Sequence, residues 1–205
     1  MTRLRGIVGS RVAPLLKNAG FKKARYVWNR TRGDFVDVID LQIGRGGETG
    51  NEVFTLNAGV CVPEWVEMIW EKPLAKVVRE TDCAVKGRIS QIAAGFRKDV
   101  RDEWWTIESE ADAVTVGDDL ITAISDSVLP FLERISSISD VHNLLSNLSN
   151  WQSGFPLNHI YIAIAKAKLG DREGADEILR SVIEGNRDSW AKNILRVQKL
   201  LAGSK

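Results

Sequence analysis

The chain has 205 residues, of which 44% are hydrophobic and 27% charged, and its formal net charge is +1. This length suits one large domain, or a domain of about 150 residues with an appendage. Interleaved charges of both signs argue against a nucleic acid partner, which requires clustered basic side chains. No run reaches the roughly 18 apolar residues that span a membrane, so no membrane association is expected.

The first two elements are a helix and a strand. Residues 2–19 carry apolar side chains at three- and four-residue spacing, which predicts a helix. Pro14 lies inside this helix and predicts a kink or a restart, because an interior proline removes a backbone hydrogen bond. Residues 21–31 predict a first strand, and Arg32-Gly33-Asp34 predicts a short turn after it.

The centre of the chain is a predicted hairpin. Phe35–Ile43 and Val53–Val62 are rich in β-branched and aromatic residues and flank a glycine-rich connector, residues 44–51. Because side chains alternate across a strand, each strand has an apolar and a polar face. The apolar face comprises Ile39, Leu41, Ile43, Phe54, Leu56, Ala58, Val60 and Val62. The polar face comprises Asp40, Gln42, Thr55, Asn57, Gly59 and Cys61.

Shorter elements follow the hairpin. The predicted segments are a helix over 63–72, a fourth strand over 82–92, a helix over 97–107, a helix over 118–135 and a short helix over about 139–148. Cys61 and Cys83, the only cysteines, lie in apolar strand-like runs and are expected to be buried free thiols.

The C-terminal part of the chain has a purely helical pattern. Residues 149–156 break the periodicity and predict a boundary between a domain over 1–150 and an appendage over 151–205. Two helices meet at Gly170-Asp171, and a last helix, capped by Asp188-Ser189, follows. The phrase Ala163, Ala167, Leu169-Gly170-Asp171, Ala175 and Leu179 resembles one hairpin of a tetratricopeptide repeat, of which about three are needed to form a solenoid.

These elements together predict an α+β fold. We expect a four-stranded antiparallel sheet packed with helices, followed by a C-terminal helical hairpin and a final helix.

Three short sequence segments, in this order along the chain, resemble those of a known family: Leu15–Lys23, Asp40–Gln42 and Phe54–Val60. They are similar to a bacterial family known as domain of unknown function 4304, over about residues 3–135. Lys86 stands where that family usually has an arginine. The resemblance implies an α+β fold with an antiparallel sheet, and it implies no reaction.

One constellation has the composition of a binding site. If the strands form one sheet, a row of polar side chains converges on its non-core face. The members of this row are Asp40, Gln42, Thr55, Asn57, Lys86 and Arg88. Amides and a guanidinium suit the recognition of a carboxylate, a phosphate or a peptide edge. The alternative is a helix that covers the face, with the polar groups satisfied internally.

Catalytic constellations are weak. His142 and His159 each lack a second ligand or a nucleophile nearby, so we expect no metal, no cofactor and no catalytic residues. An acidic run over 99–110 lies beside Trp104 and Trp105, and paired carboxylates with tryptophans can act on sugars. The same run also fits a solvated face with tryptophans as core or interface anchors.

The sequence therefore predicts a cytoplasmic, non-catalytic module that binds another protein, with its oligomeric state left open. Seven tryptophans support this prediction, since tryptophan is enriched at binding hot spots. An immunity or adaptor role in a bacterial toxin or secretion setting is a hypothesis by analogy. The alternative is an enzyme or small-ligand binder that uses Gln42, Asn57 and Arg88. The candidate binding residues are Gln42, Thr55, Asn57, Lys86, Arg88, Trp104 and Trp105.

Overall fold

The computed structural model describes residues 2–44, 51–97, 99–152, 156–185 and 190–203. The predicted hairpin tip at 45–50, the centre of the predicted boundary at 153–155 and the Asp188-Ser189 cap lie outside the described residues. By its contacts the chain divides into one unit of residues 1–61 and 76–134 and a second unit of 62–75 and 135–205. This division differs from the one expected at residue 150. The folding of residues 1–150 as a domain stays a prediction. A chain truncated after residue 150 would test it.

The first unit begins with an interrupted helix. Helix α1 (Arg3–Ile7), a π-helical turn (Val8–Val12) and helix α2 (Ala13–Asn18) follow one another without a loop. Pro14 lies in the first turn of α2, where a proline is tolerated, so the predicted helix restarts there. The buried side chains of this segment form the predicted apolar stripe: Leu4, Ile7, Val8, Val12 and Leu16.

In the described part of the chain, six strands form one antiparallel sheet. They are β1 (Lys22–Ala24), β2 (Val27–Arg32), β3 (Phe35–Ile43), β4 (Glu52–Cys61), β5 (Val85–Arg88) and β6 (Trp105–Ile107). Their order is β1-β2-β3-β4-β5, and β6 pairs with β4 as well. The predicted α+β class is confirmed, but the predicted number of strands, four, is wrong. The predicted first strand is a hairpin of two, with Arg25 at φ 58° in its tight turn, and β6 was not expected.

The register of the central hairpin confirms the predicted faces. Ala58 pairs with Ile39, and Leu56 pairs with Leu41, on the apolar face. Asp40 pairs with Asn57, and Gln42 pairs with Thr55, so these polar groups lie on the opposite face. Strand β5 extends that face, because Lys86 lies opposite Gly59 and Arg88 opposite Asn57. At the end of β3, Ile43 is 49% exposed, although its parity assigns it to the apolar face.

The remaining elements of the first unit correct two predictions. A 3-10 turn (Glu80–Asp82), β5 and helix α4 (Ile89–Ala93) replace the single strand expected over 82–92. The helix expected over 97–107 is wrong, since its only described regular element is β6. The helix expected over 118–135 is present as α5 (Glu110–Ala123), a π-helical turn (Ile124–Val128) and α6 (Leu129–Glu133).

Helix α5 begins eight residues before the predicted start because its N-terminus is capped. Ser109 Oγ accepts a hydrogen bond from the Asp112 backbone N–H at 3.1 Å. Asp112 Oδ2 accepts one in return from the Ser109 backbone N–H at 2.8 Å. This reciprocal capping box satisfies two groups that a helix end otherwise leaves without partners.

A buried ionic cluster lies on the apolar face, where Asp37 has no exposed surface. Arg30 Nε donates to Asp37 Oδ2 at 2.9 Å, and Arg32 donates to both Asp37 oxygens, at 2.7 and 2.8 Å. Both guanidinium groups also reach helix ends: Arg30 donates to the Ala19 carbonyl at 3.1 Å and Arg32 to the Leu132 carbonyl at 2.8 Å. The hydrogen bond to Asp37 raises the pKa of Arg32. The cluster therefore joins the sheet to the C-terminal ends of α2 and α6.

The second unit is helical. It contains α3 (Pro63–Trp70), α7 (Ile138–Gln152), α8 (Pro156–Lys168), α9 (Arg172–Gly185) and α10 (Ala191–Gly203). Helices α8 and α9 form the predicted C-terminal hairpin, and α10 is the predicted final helix. Trp65 stacks on Tyr161 with ring centroids 5.9 Å apart in the core of this unit. Among the described residues, no helix combines the length and apolar character that crossing a membrane requires.

Candidate functional site

The polar row is held together first by a pair of amides. Asn57 Nδ2 donates a hydrogen bond to Gln42 Oε1 at 3.1 Å across strands β4 and β3. Asn57 is buried, whereas Gln42 is exposed at the end of its strand. The buried amide therefore fixes the orientation of the exposed one.

Arg88 lies beside this amide pair, because its Cα pairs with Asn57. Its guanidinium forms an ion pair with Asp102, and its side chain is 25% exposed. The central guanidinium carbon also lies 5.1 Å from the centroid of the Trp104 ring. A guanidinium at this distance from an aromatic ring makes a favourable cation–π contact.

Trp104 is the largest exposed group on this face, at 37% exposure. A Cβ atom added at Gly44 would lie 3.1 Å from the Trp104 ring, so the ring packs directly against the glycine backbone. One residue earlier, the Glu103 carbonyl accepts a hydrogen bond of 2.7 Å from Thr55 Oγ1. These contacts hold the segment before β6 against the sheet and fix the position of the Trp104 ring.

Trp105 does not belong to the same site. Its Cα pairs with Phe54, and its ring stacks on the Phe54 ring at a centroid distance of 5.5 Å on the apolar face. It is buried, so of the two adjacent tryptophans only Trp104 is accessible to a partner. Successive side chains of an extended segment point to opposite faces, which explains the divergence.

Lys86 and Asp40, also members of the row, have partners in the 3-10 turn and at the residue just before it. Lys86 Nζ donates to the Thr81 carbonyl at 3.3 Å and lies 3.8 Å from a Glu80 carboxylate oxygen. Asp40 Oδ2 lies 2.9 Å from Arg79 Nε. Burial raises the pKa of Asp40, and the charge of Arg79 opposes this shift. Asp40 Oδ1 is buried and has no hydrogen-bond partner among the described residues.

The row is thus partly covered. The alternative expectation named a helix as the cover, whereas the covering contacts within the first unit come from a 3-10 turn and a loop. Gln42 and Arg88 of the row stay accessible beside Asp102 and Trp104, and the buried Asn57 holds Gln42 in place. We call these five residues the Trp104 face. Sequence reasoning grouped Asp102 with an acidic run and did not identify it as the partner of Arg88. Arg79, which pairs with Asp40, carried no sequence signal because it lies in an irregular segment.

The two cysteines lie in the same unit and are both fully buried and free, as predicted. Burial raises the pKa of Cys61 to about 12 and that of Cys83 well above its usual value. Thiolates react with disulfide reagents, so a raised thiol pKa and burial both suppress the reaction. We expect no release of thionitrobenzoate from the native protein at pH 8, and two equivalents in denaturant. Fast reaction of one thiol in the native state would contradict this assignment.

In the described parts of the chain, no cluster of three or more His, Cys, Asp or Glu side chains could hold a metal ion. The model of a protein family described as Domain of unknown function (DUF4304) matches residues 12–134. That match covers the whole sheet and every residue of the Trp104 face. No curated protein and no solved structure matches the chain.

Proposed function

This chain belongs to the DUF4304 family, and we propose that it binds another protein through the Trp104 face. The observation that carries this proposal is the position of Trp104, which is 37% exposed yet held against Gly44 and beneath the Arg88 guanidinium. Tryptophan and arginine are the residue types most enriched at binding hot spots. A side chain already held in place loses less entropy on binding than a mobile one, which favours affinity.

The ionic contacts favour a protein surface over an anion site. Among the five residues that define the Trp104 face, Arg88 is the one cation, and it forms an ion pair with Asp102. A small carboxylate or phosphate ligand would have to displace Asp102 to gain a charge-assisted hydrogen bond. A partner protein can contact Trp104 and Gln42 while this ion pair stays intact. The enzyme or small-ligand alternative is therefore the weaker proposal.

We expect Trp104→Ala to weaken partner binding about 30-fold, the effect of losing a hot-spot side chain worth ~2 kcal/mol. The wild-type chain would be immobilised, partners captured from a lysate of its natural host, and the captured proteins identified by mass spectrometry. The affinity of the captured partner would then be measured for wild type and variant. Melting temperatures would show whether both fold.

Trp70→Ala provides a matched control. Trp70 is 39% exposed, close to the exposure of Trp104, but it lies in α3 of the second unit and contacts Trp190 at a ring-centroid distance of 5.4 Å. This variant should retain partner binding. Equal losses in the two variants, or none in Trp104→Ala, would refute the assignment of the Trp104 face.

The biological setting we propose is an immunity or adaptor role in the bacterial cytoplasm. The small size and near-neutral charge of the chain suit a protein that acts by binding. If the captured partner is a toxic enzyme, adding the chain in equimolar amount should suppress its activity, and Trp104→Ala should suppress it less. A captured partner whose activity is unchanged would exclude the immunity role and leave the adaptor role.

A further inference from the structure

We propose that the partner contacts the Trp104 face with an uncharged, hydrogen-bonding stretch of polypeptide that presents amide groups, rather than with a charged patch. This inference rests on the proposed function, and it specifies the chemistry of the partner at that site.

The charged side chains of the polar row all form ion pairs within the first unit. Arg88 pairs with Asp102, Arg79 Nε lies 2.9 Å from Asp40 Oδ2, and Lys86 Nζ lies 3.8 Å from Glu80 Oε1. Each ionisable group of the row therefore has an opposite charge beside it. A charged partner group would lose hydration on contact and meet no uncompensated charge in return, which makes its burial unfavourable.

The remaining polar groups of the Trp104 face are the neutral amides of Gln42 and Asn57. Gln42 uses Oε1 to accept from Asn57, so its exposed Nε2 keeps N–H donors that bond to no described residue. A carboxamide carries two donors and an acceptor with two lone pairs. Its best complement is another amide, from an Asn or Gln side chain or from the backbone.

The Trp104 ring offers an apolar contact beside these amides. Trp104 presents a partly exposed ring directly beside Gly44, and one amide fragment can contact the ring while it hydrogen-bonds to a neighbouring side chain. The exposed residues on either side of Asp102 in the chain, Arg101 and Glu103, carry opposite charges. The face is thus suited to a neutral segment, whose binding would depend little on salt.

Side-chain NMR signals of the full-length protein can test this proposal with three small probes of similar size. N-methylacetamide represents the amide, acetate the anion and n-butylammonium the cation. We expect N-methylacetamide to shift the Trp104 indole signal and the Gln42 side-chain amide signals, and to shift them more than the indole signal of Trp70. Acetate and butylammonium should leave the Trp104 and Gln42 signals in place.

Asp102→Asn provides the matched positive control, because it removes the charge that neutralises Arg88 and preserves side-chain size. This variant should gain a response to acetate at Trp104. A saturable response of the wild type to acetate or butylammonium, or no response to N-methylacetamide, would overturn the inference. Either result would leave the proposed function standing, since that depends on the loss of partner binding in Trp104→Ala.

Discussion

Asp37→Ala should lower the free energy of unfolding by about 3–5 kcal/mol, the usual cost of removing one member of a buried ionic cluster. Asp37 is fully buried, and the side chains of Arg30 and Arg32 are only 13% and 22% exposed. Without the carboxylate, two guanidinium groups would share a poorly hydrated site with the Glu133 carboxylate, 2.8 Å from Arg30 Nη2, as the remaining counter-charge. The attachment of the sheet to the C-terminal ends of α2 and α6 would also weaken.

Urea unfolding followed by circular dichroism would measure this loss. Asp118→Ala is the matched control, because Asp118 also pairs with an arginine, Arg11, but its side chain is 63% exposed. Exposed ion pairs contribute little, so that variant should change stability by less than about 1 kcal/mol. A loss in Asp37→Ala no larger than the loss in the control would mean that the cluster does not stabilise the fold.

The central hairpin could be predicted because two periodic signals agreed. Alternation in β3 and in β4 each defined an apolar and a polar face. A slip of one residue would join apolar to polar, whereas the observed register joins apolar to apolar. That register places Asp40 opposite Asn57, and the same parity in β5 brings Arg88 to the row. Sequence alone was therefore sufficient to place the polar residues of three strands on one face.

Asp37 shows where the same reasoning was incomplete. Its parity places it on the apolar face with Ile39, although a lone carboxylate cannot remain there without partners. The partners, Arg30 and Arg32, have the matching parity in β2 and pair with residues 37 and 35. The i, i+2 spacing of two arginines on the adjacent strand was the signal that could have revealed the cluster.

The segment before β6 could not be predicted, for a physical reason. Its position depends on contacts between residues distant in sequence, such as the hydrogen bond from Thr55 to the Glu103 carbonyl. A strand of three residues is also too short to show alternation, and the spacing of Trp104 and Ile107 imitates a helix. The exposure of Trp104 and the burial of Trp105 follow from this extended geometry, so the site prediction combined one accessible and one core tryptophan.

Gly59→Ala should destabilise the protein by about 1–3 kcal/mol, the cost of forcing an extra carbon into a well-packed core. Gly59 lies near the C-terminal end of β4 on the polar face, where a Cβ atom would be 2.6 Å from the Val85 carbonyl oxygen and 2.8 Å from Cys83 Cβ. The first contact is with backbone of the paired strand β5, which cannot rotate away as a flexible side chain can. Relief would require β5 to shift, and Arg88, at the other end of β5, would shift with it.

Gly6→Ala should have the opposite effect on stability. Comparing the two variants distinguishes a steric clash at Gly59 from a general intolerance of replacing glycine. Gly6 lies in α1, and a Cβ atom there would meet nothing within 4 Å. Alanine at a helical position should stabilise the chain by roughly 0.5–1 kcal/mol, because it loses less conformational entropy on folding than glycine does. Urea unfolding of both variants would measure the two effects. A Gly59→Ala protein as stable as wild type would mean that β5 can move away from β4 at no cost, and the position of Arg88 beside Trp104 would then lack the rigid support that the proposed binding face requires.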